Sequence, residues 1–231
     1  MCILRTYTPQ LAARLAGVSR SDDRIRPMGT VLFVDGQNFK GKIKTVFEAA
    51  GKDTLVWHEY DFKGLLGKVL EGIKIDRKIF YFAKIKEHSD TKEKSKQLIE
   101  EQRLLKNHLE KNGFEVILAG RVRGQYEKDQ RRTDKFSLTF KEKGVDVKIA
   151  VDMVSLSCNK RVKEVILGTS DSDLQPAITE VTRRKVMCVY LGFEVNPNKG
   201  LTYTTDRTIL IRNTEVLKFE NVQSSLNFES V

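Results

Sequence analysis

The 231 residues suffice for one generous domain with extensions and a substantial core. Hydrophobic residues at 40% and charged residues at 31% exclude a disordered chain, and no apolar run approaches the roughly eighteen residues of a membrane span. Lys and Arg outnumber Asp and Glu by 41 to 31, a net charge of +10 that favours a polyanionic partner, nucleic acid first among them.

Residues 1–28 carry Arg5, Arg14 and Arg20 ahead of any acid and reach Pro27 and Met28 without a packed pattern. A transit-like segment is one reading, because such segments are Arg-rich and acid-poor. A poorly ordered extension is preferred, with a domain over 29–213 and a tail over 214–231. Thr30 to Asp35 predicts a strand, and Asn38 to Ala50 a helix with Ile43, Val46 and Phe47 on one face. Asp61 to Gly72 predicts a second helix and Arg77 to Ile85 a strand. Thr91 to Asn112 predicts a long helix, lined by Leu98, Leu105 and Leu109 and stopped at Asn112-Gly113, whose mixed charges form a solvated face. Phe114 to Ala119 predicts a strand. The basic stretch "GRVRGQYEKDQRRTDKFSLTFKEKG" has no helical period but alternates over Phe136 to Phe140, so a loop or hairpin is expected. Val145 to Cys158 and Leu174 to Arg183 predict helices; Lys163 to Gly168, Lys185 to Leu191 and Thr208 to Ile211 predict strands.

This alternation implies a three-layer α/β/α sandwich with a mainly parallel sheet, because parallel strands need crossover helices that cover both faces. The nearly all-apolar strand interiors agree. In such sheets ligands bind outside the carboxyl ends of the strands. Cys2, Cys158 and Cys188 are odd in number and widely spaced, which suggests neither a disulfide framework nor zinc and reads as a reducing, cytoplasmic setting. His58, His88 and His108 read as surface or packing residues.

Carboxylates gather at the predicted strand ends. Asp35 closes the first strand, Asp171 and Asp173 follow the strand "EVILG", and Asp146 opens a helix with Asp152 further along it. Any one of these at a helix start reads as an N-cap, favoured by free N–H groups and the helix dipole. Convergence of Asp35, Asp146, Asp171 and Asp173 is different. Carboxylates about 4 Å apart repel by about 4 kcal/mol at an effective dielectric near 20, which a fold bears only with protonation or a cation. An all-oxygen set suits Mg²⁺ or Mn²⁺.

"FVDGQNF", "KGVDVKIAVDM" and "ILGTSDSDLQPAI", in that order, resemble the NYN domain family of PIN-like nucleases, within it the LabA-like branch. The resemblance runs from about Val31 to Leu191. It implies a PIN-like fold in which Asp35, Asp146, Asp171 and Asp173 bind Mg²⁺ or Mn²⁺ for phosphodiester hydrolysis, usually of RNA. Asn38 matches the Asn of the first motif and is expected to orient water or a phosphate oxygen; Asp152 is expected behind the ligands. Ser172 either adds a hydroxyl or simply faces solvent. The sequence departs from the family pattern at Leu174, where an aromatic is often found, and at Gly168-Thr169-Ser170, where Gly-Ser-Gly is commoner.

Arg121, Arg123, Lys128, Arg131, Arg132, Lys135, Lys141 and Lys143 flank Tyr126, Phe136 and Phe140. Interleaved cations and aromatics suit a single strand of RNA, whose phosphates need charge and whose bases stack; the same stretch also reads as a solvated loop with its aromatics in the core. The expected function is a metal-dependent endoribonuclease acting on single-stranded RNA. The alternatives are a catalytically silent RNA-binding or regulatory module and a small-molecule phosphatase. The expected partner is RNA, with a homodimer possible and no membrane.

Overall fold

The structure, a computed structural model, describes residues 29–52, 55–86, 92–128 and 136–220, the side chains of residues 94, 123–128 and 136–142 excepted. Strand β1 (Thr30–Asp35) leads into α1 (Gly36–Ala49), and α2 (Phe62–Val69) precedes β2 (Arg77–Lys84). Helix α3 (Lys92–Lys111), the strands β3 (Glu115–Lys128) and β4 (Phe136–Lys143), and α4 (Val145–Cys158) follow. Then come β5 (Glu164–Gly168), a 3₁₀ turn (Ser172–Leu174), α5 (Gln175–Arg183) and β6 (Met187–Phe193). The described chain closes with α6 (Lys199–Thr204), β7 (Arg207–Ile211) and α7 (Asn213–Lys218).

The strands form one seven-stranded sheet in the order β4-β3-β2-β1-β5-β6-β7. Among the described strands six are parallel, and β4 pairs antiparallel with β3. The α/β sandwich expected from the alternation is the fold. Strand β1 lies at its centre, and its side chains divide between two cores, as the period of two requires. Leu32 and Val34 face one core with Phe39, Ile43 and Phe47 of α1, Leu105 and Leu109 of α3, and Val216 of α7. Val31 and Phe33 face the other with Ile149 and Met153 of α4 and Ile178 and Val181 of α5. Each such side chain, fully buried, contributes about 1.5–3 kcal/mol. That is why the central strand is apolar from Val31 to Val34.

Four features depart from the sequence expectation. Helix α1 begins at Gly36, not Asn38, because Asp35 caps it through its carboxylate to the Asn38 N–H at 3.0 Å. Strand β3 runs well past Ala119, because β4 gives its polar second half a hydrogen-bonding partner. Asn198 caps the six-residue helix α6, which no periodicity announces. Residues 214–219, which the sequence leaves in the tail, lie in α7 and the turn after it; there Val216 is fully buried and its carbonyl accepts the Tyr60 hydroxyl at 2.9 Å.

Candidate functional site

Strands β1, β2 and β3 fill the sheet in one direction and β5, β6 and β7 in the other, so the crossover reverses between β1 and β5. Loops diverge at such a point and leave a crevice at the carboxyl edge. The register Val34↔Gly168 brings the end of β1 beside the end of β5. Asp35 therefore meets the segment Thr169–Ser170–Asp171, although the two are more than a hundred residues apart in sequence.

Asp35, Asp146 and Asp171 line one open hollow of about 390 Å³ with Lys143, Gly144, Val145 and Val147. Burial, above all, raises the Asp35 carboxyl above the usual carboxylate range. The hydrogen bond from the Asn38 N–H opposes that shift, while the charges of Asp171 and Asp146 add to it. These carboxylates thus sense one another.

A backbone irregularity delivers Asp146. Between β2 and β3 the register shifts after Phe82↔Leu118, so that Lys84 pairs with Arg121. Gly120 occupies the bulge with φ +69°, and a Cβ there would lie 2.0 Å from the Lys143 carbonyl. Only glycine fits. The close approach seats the end of β4 against the bulge, and α4 starts at once with Asp146 in its first turn.

A hydrogen-bonded brace holds the Asp171 side. Asn38 Oδ1 accepts from the Ser170 N–H at 2.9 Å and from the Ser170 hydroxyl at 2.8 Å. The Ser170 carbonyl accepts from Asn198 Nδ2 at 2.8 Å. Thr169 Oγ1 accepts from the Asp171 N–H at 3.1 Å, and the Asp171 carboxylate accepts from the Asp173 N–H at 2.9 Å. Asn38, Thr169 and Asn198 fix where Asp171 sits. Asn38 thus engages the loop through its oxygen.

The remaining expected residues stand elsewhere. Asp173 and Ser172 are exposed and line a neighbouring hollow with Gln175, Pro176, Thr179 and Thr204. Asp152 is engaged by Lys148 and by the Tyr81 hydroxyl at 2.9 Å, away from the acid hollow. Burial, and next the charge of Asp152, keep that phenol protonated by pushing its pKa up. Among the basic residues, Arg121 is exposed and Lys143 reaches the acid hollow itself. Arg123, Lys128 and Lys141 lie on the hairpin strands, where Arg121 is registered opposite Lys143 and Arg123 opposite Lys141. Arg131, Arg132 and Lys135 lie outside the described residues, as does His88. His108 packs, with Nε2 3.0 Å from the Tyr60 carbonyl. Cys188 is buried, which pushes its thiol up to about 12, and Cys158 ends α4.

Sequence reasoning missed Thr169, Asn198 and Gly120. Asn198 carried a local signal as a capping residue ahead of Lys199-Gly200-Leu201, and Thr169 a weaker one as a hydroxyl two residues before Asp171.

Among the described residues no group of three His, Cys, Asp or Glu side chains is arranged to hold a metal ion directly. The donor set nonetheless fits a hard divalent cation. Mg²⁺ keeps several waters and binds through one or two carboxylates, and an open hollow of about 390 Å³ that carries three carboxylates has room for a hydrated ion. No helix among the described residues is long and apolar enough to cross a membrane.

No curated protein sequence matches the chain. A solved structure of a protein of unknown function, VPA0982 from Vibrio parahaemolyticus RIMD 2210633, is similar with a TM-score of 0.50 and 20% identity, over 84% of this chain and 96% of that one. At that identity the likeness shows the fold alone. The NYN domain model matches residues 29–212, from the first residue before β1 to the residue after β7, and the chain belongs to the NYN domain family.

Proposed function

We propose that the chain is a metal-dependent endoribonuclease of the LabA-like branch that hydrolyses phosphodiester bonds in single-stranded RNA. The observation that carries the reading is the convergence of Asp35, Asp146 and Asp171 on one hollow with Lys143, at the reversal point of a parallel sheet in an NYN domain.

Asp35, Asp146 and Asp171 would hold Mg²⁺ or Mn²⁺, with Asp173 at the outer side. Such a cation, when bound, polarises a phosphate and lowers the pKa of a coordinated water. The chain's own groups do the rest. Lys143 draws the phosphate toward carboxylates that would otherwise repel it, and Asn38 and Asn198 keep Asp171 in position. The hairpin supports an RNA path: its register sets Arg121 against Lys143. Like charges directly opposed on a ladder are destabilising, and a phosphate backbone relieves them.

A second reading is a binding module without turnover, favoured by the lack, among the described residues, of three ligating side chains arranged for direct coordination. Cleavage of single-stranded and duplex RNA and DNA, with and without Mg²⁺ or Mn²⁺, separates the two. The nuclease reading expects divalent-dependent cleavage of single-stranded RNA that Asp35→Asn and Asp171→Asn each reduce by more than about 100-fold. Equal cleavage by wild type and Asp35→Asn would expose a contaminant and sink it. Binding without cleavage under any divalent ion establishes the second reading.

A further inference from the structure

The β1–α1 junction borders two hollows. Asp35 lines the acid hollow, whereas Gln37 and Lys40, on the first turns of α1, line a second one of about 330 Å³ with Trp57, Phe82, Leu98 and Gln102. The partition between them is thin. Gly36 lies so close to the Phe82 ring that a Cβ there would come within 2.1 Å of it. Gln102 fixes the wall where β2 leaves the sheet, donating to the Ala83 carbonyl at 2.8 Å and accepting from the Ile85 N–H at 3.4 Å.

The lining is mostly apolar and aromatic, with Ser95, Glu101, Gln37 and Gln102 as its polar groups, and a cation stands at its edge: Lys40 Nζ lies 4.6 Å from the centroid of the Trp57 ring. A volume of about 330 Å³ is near the lower end of the ~300–1,000 Å³ range of ligand pockets. It admits a single ring system with its water, not a helix or an extended peptide. Trp57 and Phe82 offer the π surface and apolar contact that an unstacked base seeks, and Lys40 supplies charge for the adjoining phosphate. The oxygen and the nitrogen of the Gln102 amide both bond to backbone, which leaves the exposed Gln37 as the amide for a base edge.

We propose that this hollow receives one unstacked base of an RNA strand whose neighbouring phosphate lies at the acid hollow. The inference rests on the ribonuclease reading and adds to it the place where the substrate strand is gripped.

Trp57 is the protein's single tryptophan, so its emission reports on the hollow directly. A short unstructured RNA oligonucleotide is titrated into the full chain at low salt in EDTA, with tryptophan emission and oligonucleotide anisotropy followed together. The expected result is a change in emission that tracks the binding isotherm. Trp57→Ala then binds at least about tenfold more weakly, while Trp57→Phe, which keeps a ring, retains most of the affinity. Binding with unaltered emission, and with equal affinity for Trp57→Ala, overturns the base site and leaves the nuclease reading standing. Absence of RNA binding by the wild-type chain overturns the base site; joined to absence of divalent-dependent cleavage, it removes the nuclease reading as well. Should Trp57→Ala fail to fold, the wild-type emission titration and Trp57→Phe decide.

Discussion

Asp35 bears two demands that conflict. As N-cap of α1 it accepts the Asn38 N–H, a role asparagine fills equally well. As a half-buried charge facing Asp171 and Asp146 it carries desolvation and repulsion, and its carboxyl is raised accordingly. A group raised in the folded state contributes stability that is fully present below its unfolded pKa and lost as pH rises through the folded value. Without divalent cation, Asp35→Asn is therefore expected to melt higher than wild type at neutral pH, by about 2–4 °C for each kcal/mol relieved. The difference should close as pH falls toward the ordinary carboxylate range. Thermal melts in EDTA across that interval check it, and a variant that melts lower at pH 7 refutes the repulsion. At this scale the sequence made Asp35, Asp146 and Asp171 legible, because a charge ending an apolar strand or opening a helix is conspicuous locally. The part Asn198 plays was not, since its partner, the Ser170 carbonyl, is one that only the fold supplies.

Elements meet most tightly where β1 turns into α1. Gly36 is fully enclosed against Phe82, so Gly36→Ala must push that ring aside. Overpacking of this kind costs about 1–3 kcal/mol. Urea denaturation should show that loss, with RNA cleavage lowered as well, because both the Asp35 turn and the Phe82 wall move. A variant of wild-type stability would mean that the ring yields freely. The order of strands and helices was legible because buried runs of β-branched and aromatic residues alternate with amphipathic spacing. The limits of β3 were not: its second half, "RVRGQYEK", is polar, and its strand character comes from pairing with β4. Helix α6 stayed hidden because six residues containing a glycine carry no period; Asn198 accepting the Leu201 N–H starts it.

For the molecule as a whole, the excess of cations sets how it meets a polyanion. With a net charge of +10, affinity for single-stranded RNA should fall linearly in log–log form with salt, by about 0.7 per neutralised phosphate. Replacing both Arg121 and Lys143 with Ala should flatten that slope by about one to two units; an unaltered slope would move the RNA path off the hairpin. The strand order also governs when the acids assemble. Strand β1 is made first yet ends at the centre of the sheet, and its neighbour β5 is separated from it by more than a hundred residues. A chain emerging from the ribosome exposes Asp35 early, but Asp171 joins it only after β5 has emerged and docked. On the proposed activity, a half-made copy beside its own message has no assembled cutting centre, and the order of synthesis acts as a safety catch.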